Sequence, residues 1–141
     1  ETIDFIRTCF AAKDDVVQLH GQDFLFRPNP ERPPIYVGGM TDAALARTIR
    51  CADGWLPMGM EPEKLRPRAA RLKEMAAAAG KPCPAIVLIG SLPATTTQAV
   101  DMLGACAAFG ATDYIQASRY SNENDFDAIM ARLDEVKRQL V

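Results

Sequence analysis

The spacing of apolar residues predicts alternating short strands and amphipathic helices from residue 35 onward. Short apolar runs occupy residues 35–37, 53–57, 84–90 and 113–118. After each run, apolar residues recur every three or four positions, as they do along the buried face of a helix. Strands that alternate with helices are typical of a parallel sheet covered by helices.

Polar residues mark several of the predicted helix ends. Thr41 or Asp42 can cap the first helix after residue 35, and Thr95 with Gln98 fits a capping box. Pro67 lies inside the second of these helices, which predicts either a kink or a later helix start. The last helix carries the most regular apolar stripe of the chain, formed by Phe126, Ile129, Leu133, Val136 and Leu140.

The first part of the chain has a different pattern. Residues 2–12 place apolar side chains at helical spacing. Residues 16–26 then form two short apolar runs around Gly21, which predicts a hairpin. The proline-rich segment 27–34 can continue neither element and is expected to be a loop.

These patterns predict one α/β domain over residues 1–141. Residues 1–34 hold the leading helix, the hairpin and the proline-rich loop, and residues 35–141 hold four β-α units. Four units suffice for a small open sheet. They are also half of a (β/α)₈ barrel, which typically needs about 250 residues.

Charge and composition narrow the possible functions. The net charge is −2 and both signs are spread along the chain, so we expect no nucleic-acid partner. No apolar run approaches the roughly 20 residues that cross a bilayer, and no secretory signal pattern is present. The chain opens at Glu1 and not at Met, which indicates a missing upstream segment, although processing or tag removal would leave the same start.

Cysteine and histidine usage argues against metal and triad chemistry. The four cysteines match no zinc spacing. They are interpreted as small apolar residues in a reducing compartment, which predicts a cytoplasmic protein. The single histidine, His20, is expected to be a partly exposed turn residue, and no G-x-S-x-G elbow is present. We therefore predict no metal site and no histidine-based triad.

The strongest candidate for binding is the turn that follows the first strand of the repeat. Ligands of parallel β-α proteins lie at the carboxyl ends of the strands, where this chain places Gly38, Gly39, Met40 and Thr41. Glycines let a ligand approach the backbone, and the next helix offers a positive N-terminus. A tight turn without a ligand explains the same residues, so both interpretations stay open.

The other strand ends are less informative. Trp55, with Met58 and Met60 after it, can line a pocket for a flat ring, although a core position is the favoured interpretation. Arg119 is the one cation that directly follows a predicted strand, so it is a candidate for holding an anionic group of a substrate or ligand. An ordinary surface arginine explains it equally well. No pair of carboxylates stands out as acid and base.

Two segments resemble a known family. "RPPIYVGGMTDAALARTIRCADGWLPMG", residues 32–59, and "EPEKLRPRAARLKEMAAAAGK", residues 61–81, are similar to the C-terminal half of bacterial-luciferase-like monooxygenases. The closest likeness is to the branch that uses the deazaflavin coenzyme F-420. The helix and hairpin before them resemble the family's segment that leads into this half.

The resemblance implies a fold, a chemistry and a cofactor site. Members fold as (β/α)₈ barrels and either transfer a hydride with F-420 or use reduced FMN and oxygen on small organic substrates. Val37, Gly38, Gly39 and Thr41 would line the cofactor site, and the choice between FMN and F-420 stays open. Gly39→Val is then expected to weaken cofactor binding in a folded protein.

The family's N-terminal half is missing from this chain. The resemblance therefore implies a longer parent protein, a separate N-terminal partner, or a homodimer that closes an eight-stranded barrel. A non-catalytic half-barrel that dimerises and binds a flavin-like ligand, or none, is the alternative function. An open sheet of flavodoxin type is a weaker alternative, because a helix and a hairpin precede the glycine turn.

Overall fold

The structure is a computed structural model that describes residues 1–13, 15–57 and 59–140. The chain divides into two compact units, Glu1–Ile35 and Tyr36–Val141, which are considered separately. No helix of the described residues is long and apolar enough to cross a membrane.

The first unit contains one helix and one hairpin. Helix α1 spans Thr2–Ala11, and strands β1 (Val16–Leu19) and β2 (Gln22–Leu25) pair in antiparallel register. His20 and Gly21 form the two-residue turn with φ angles of 51° and 76°, as a type I′ turn requires. The predicted helix, hairpin and turn histidine are confirmed.

The second unit alternates four strands with four helices, as the pattern predicts. Its elements are β3 (Tyr36–Gly38), α2 (Asp42–Cys51), β4 (Gly54–Leu56), α3 (Pro62–Ala78), β5 (Ala85–Gly90), α4 (Thr96–Ala107), β6 (Asp113–Gln116) and α5 (Glu123–Leu140). The strands form one parallel sheet in the order β3-β4-β5-β6. This architecture is α/β and is consistent with half of a (β/α)₈ barrel.

Helix ends follow the local chemistry. The Thr41 and Thr95 hydroxyls cap α2 and α4 by accepting backbone N–H groups three residues later. The structure corrects one expectation, because α3 starts at Pro62 and runs through Pro67, so Pro67 does not delay the helix start. Pro62 occupies the first helical position, where its missing N–H costs nothing.

The main core lies between the helices and one face of the sheet. Leu45, Trp55, Leu72 and Ile86 are all at most 1% exposed and belong to one cluster. The opposite face is open at the last strand, where Ile115 is 40% exposed. Neighbouring residues of a strand point to opposite faces, so Val87 of β5 lies on the same face as Ile115. Val87 is 1% exposed, so this face is accessible at β6 and covered at Val87.

Helix α5 is only partly buried. Val136 packs with Leu92 and Ala99 in a second cluster, and Leu133 lies against it. The two ends of the predicted stripe differ from the expectation, because Phe126 is 43% exposed and Leu140 is 46% exposed. The buried contacts of the helix therefore concentrate in its middle turns.

Candidate functional site

The glycine turn lies at the carboxyl edge of the sheet, between β3 and α2. Gly39 has a φ of +116°, and a Cβ built on it would lie 2.7 Å from the Cβ of Ala44. Only glycine fits there, because both the backbone conformation and the packing of α2 exclude a side chain. The tight-turn interpretation therefore has a concrete physical basis at Gly39.

Gly38 has a different environment. It is exposed, and a Cβ built on it would lie 3.3 Å from the backbone oxygen of Leu56. Its φ is outside the left-handed region, so an alanine there requires only a small adjustment. The missing side chain leaves the Gly38 backbone accessible to a ligand at the carboxyl edge.

The indole of Trp55 forms a hydrogen bond with the glycine turn. Its Nε1–H donates to the Gly39 carbonyl at 2.7 Å, and the side chain is fully buried. The predicted core position of Trp55 is thus confirmed, with a polar contact that the sequence pattern did not show. Arg47 also donates to the Gly38 carbonyl, at 3.4 Å. The carbonyls of Gly38 and Gly39 both accept hydrogen bonds, and these bonds hold the backbone of the turn in one conformation without a ligand.

Two arginines offset the negative charge at the start of helix α2. Asp42 occupies the first helical position, where its carboxylate accepts hydrogen bonds from Arg68 at 2.6 Å and Arg71 at 3.0 Å. Hydrogen bonds from Arg68 and then Arg71 lower the pKa of Asp42. Because two guanidinium groups offset this carboxylate, it does not make the turn repulsive to an anion.

The turn after β4 closes over the end of β5. A Cβ built on Gly90 would collide with the Sδ of Met60, so the thioether packs directly on the Gly90 backbone. Pro57 is fully buried. Met58, the other methionine of the suggested ring pocket, lies outside the described residues.

A polar network joins the ends of β5 and β6. The Ser91 hydroxyl donates to the Ala117 carbonyl at 2.6 Å and lies 3.2 Å from the Ser118 hydroxyl. The Tyr114 hydroxyl donates to the Gly90 carbonyl at 2.6 Å. The Gln116 side chain contacts both the Tyr114 hydroxyl and the Ser118 hydroxyl. These contacts tie the last two strand ends together.

The raised pKa of Tyr114 gives a pH-dependent test of the burial of its hydroxyl. Burial raises this pKa to about 12, from the ordinary value of 10.0. Tyrosine in the unfolded chain ionises at a lower pH than buried Tyr114. The neutral hydroxyl therefore contributes fully to the free energy of unfolding below pH 10, and this contribution is lost as the pH rises towards 12. In a titration of tyrosinate absorbance, we expect a late phase near pH 12 that Tyr114→Phe removes. A late phase that survives in Tyr114→Phe would contradict this assignment.

The remaining predicted site residues lie apart from one another. Arg119 is exposed after β6, and it has no ion pair within the described part of the chain. It is at the opposite edge of the sheet from β3, which carries Val37 and the glycine turn. Thr41 uses its hydroxyl oxygen to cap α2 by accepting the Ala44 N–H at 3.2 Å. Their roles toward a cofactor or substrate stay predictions.

Two contributors to this edge were not among the residues that the sequence pattern predicted. Arg132 lines a crevice next to Gln116 and Ser118. The sequence did contain a signal for Arg132, because this charged residue lies three residues after Ile129 and four before Val136, within the apolar stripe of α5. The bond from Trp55 to Gly39 joins residues 16 positions apart and had no local signal.

An exposed glycine turn at the carboxyl edge of a parallel sheet is typical of β-α proteins that bind ligands there. Residues 1–140 match the family model of luciferase-like monooxygenases. The chain therefore belongs to the luciferase-like monooxygenase family, as the sequence resemblance indicated.

Relatives and a solved structure are similar over parts of their length. Uncharacterized proteins of Mycobacterium bovis and of two strains of Mycobacterium tuberculosis are each 38% identical over 95 residues. That match covers 63% of this chain and 33% of each relative. An F420-dependent secondary alcohol dehydrogenase in complex with an F420-acetone adduct has a TM-score of 0.47 and 13% identity, over 95% of this chain and 51% of that chain.

Proposed function

We propose that this chain is the C-terminal half of a flavin- or deazaflavin-dependent oxidoreductase and carries part of its cofactor site. Family membership supports the class of chemistry. The observation that carries the site is the exposed Gly38 backbone at the carboxyl edge, next to a turn that Trp55 and Arg47 hold in place. When bound, a flavin or a deazaflavin supplies the redox chemistry, and the protein supplies position and electrostatics.

The residues present fit such a cofactor at the glycine turn. A side chain at Gly38 would fill the accessible space that a cofactor needs for backbone contact. Val37, Gly38, Gly39 and Thr41 would hold the cofactor, and Arg119 would hold an anionic group of the cofactor or of a small organic substrate. FMN and F-420 are both candidates, because none of these residues distinguishes their rings.

The open face of the sheet motivates the proposal about partners. Ile115 is 40% exposed on this face, and strands β3 and β6 are the outer strands of the sheet. Exposed apolar faces and open edges favour association. We propose that a second copy or a separate N-terminal half covers them in a cytoplasmic protein.

A titration with each cofactor tests the proposal. The purified chain is titrated with F-420 and with FMN by ligand fluorescence, on a sample whose mass is measured by light scattering. We expect saturable binding of one cofactor, and about tenfold weaker binding by Gly38→Ala, since the added methyl occupies the contact surface. Gly104→Ala is the matched control, because a Cβ there meets nothing within 4 Å.

Absence of binding by a well-folded wild-type chain would show that the glycine turn does not bind a cofactor without the rest of the barrel. Equal binding by wild type and Gly38→Ala would place the cofactor elsewhere. A stable dimer that binds a cofactor without transferring electrons would favour the second candidate function, a non-catalytic half-barrel.

A further inference from the structure

A crevice with a volume of about 210 Å³ lies between the end of β6 and the middle turns of α5. Most of its wall is apolar and comes from α5 and Leu92. Three polar side chains interrupt this wall: Gln116, Ser118 and Arg132. None of the described residues that line it is acidic.

Two buried donors of Arg132 have no acceptor among the residues that the structure describes. Its Nε and Nη2 atoms are buried without a hydrogen-bond partner in the part of the chain that the structure describes. Burying an unpaired guanidinium donor is costly unless a group of opposite charge or a strong acceptor meets it. The arginine that lines the crevice therefore has two donors with no acceptor among the described residues.

A comparison with Arg68 shows what is unusual about Arg132. The Nε of Arg68 is also buried without a partner among residues 1–13, 15–57 and 59–140, but its Nη2 forms an ion pair with Asp42 at 2.6 Å. Arg132 forms no such pair within the described residues. Its position in the apolar stripe of α5 is therefore not explained by an internal salt bridge.

Two other polar side chains line the crevice together with the Arg132 guanidinium. The Gln116 side-chain amide contacts the Ser118 hydroxyl, and both line the same crevice as Arg132. A guanidinium fork beside a hydroxyl and an amide offers several N–H and O–H donors to one oxyanion. The volume exceeds that of several waters, so a phosphate or carboxylate group fits.

We propose that this crevice, the Arg132 pocket, binds the oxyanion of a small molecule through Arg132, Ser118 and Gln116. The pocket is distinct from the glycine turn, although its Ser118 directly precedes Arg119, the residue proposed above to hold an anionic group. Gln116 belongs to β6, whereas the glycine turn follows β3, and these are opposite edges of the sheet. Three strand spacings separate them by about 14 Å. The inference therefore does not rest on the proposed function.

Calorimetric titration of the 141-residue chain with inorganic phosphate tests the pocket, with acetate as the second probe. We expect saturable binding of at least one anion and about tenfold or greater weakening in Arg132→Met. Arg132→Lys keeps the charge without the fork, so intermediate binding is expected. The stronger of the two probes shows whether a phosphate or a carboxylate is the better ligand.

Arg138→Met is the matched control, because Arg138 lies on the same helix and is paired with Glu135 at the surface. It should bind anions as the wild type does. Circular dichroism checks the fold of each variant. No saturable binding by the wild type, or equal binding by wild type and Arg132→Met, would overturn the proposal.

Discussion

Replacing Gly39 by alanine is expected to lower the free energy of unfolding by about 2–4 kcal/mol. The new methyl would lie 2.7 Å from the Cβ of Ala44, and the residue would also have to adopt a φ of +116°. The methyl of Ala44 is buried and cannot rotate away, so the backbone of the turn or of α2 has to move. Urea unfolding of the variant measures the loss.

The variant Gly80→Ala separates the cost of a strained backbone conformation from the cost of a steric clash. Gly80 also has a positive φ, +63°, but a Cβ there meets nothing within 4 Å. It follows the end of α3, where the left-handed conformation costs an alanine about 1 kcal/mol. A loss in Gly39→Ala no larger than in Gly80→Ala would contradict the packing described for the glycine turn.

The steric contact at Gly39 decides which of the two glycines can be substituted to test the cofactor site. The sequence resemblance suggested Gly39→Val as a binding variant with an intact fold. The contact with Ala44 makes that substitution a test of folding, whereas Gly38→Ala adds a methyl with only a 3.3 Å contact to Leu56. Gly38 is therefore the position at which binding and stability separate best.

Trp55→Phe should lower the free energy of unfolding by about 2–4 kcal/mol. The phenyl ring is smaller than the indole and leaves space in a core where Trp55 is fully buried. It also removes the 2.7 Å hydrogen bond to the Gly39 carbonyl. Besides the global loss in urea unfolding, amide exchange in the glycine turn should become faster.

Thr48→Val provides the comparison for this hydrogen bond. The Thr48 hydroxyl is buried and donates to the Ala44 carbonyl at 3.0 Å, within helix α2. That carbonyl also faces the helical N–H four residues later, so it keeps a backbone partner and the loss should stay below about 1 kcal/mol. If the glycine turn exchanges equally fast in both variants, Trp55 does not hold the turn as described.

The order of elements could be predicted because it depends on local patterns. The four apolar runs and the helical spacing between them specify strands and helices without knowledge of distant contacts. Thr41 and Thr95 act on N–H groups three residues away, so their caps were visible in the sequence. Pro67 was harder to interpret, because the helix runs through it and buries Leu65 and Ala69 on either side.

The site was less predictable because its defining contacts are tertiary. The two glycines are neighbours in sequence, yet Ala44 constrains Gly39 while Leu56 constrains Gly38. Arg132 differs from other surface arginines only through the crevice around it. The environment of Arg132 comes from the crevice between the end of β6 and α5, which the periodicity does not specify.

Amide NMR spectra of the chain, recorded with and without the tighter of FMN and F-420, test the proposed cofactor contact. The amide signals of Gly38 and Gly39 should shift strongly on binding, with smaller changes at Val37 and Thr41. Unchanged glycine signals under saturating cofactor, with shifts confined to other parts of the sheet, would contradict a cofactor site at this turn.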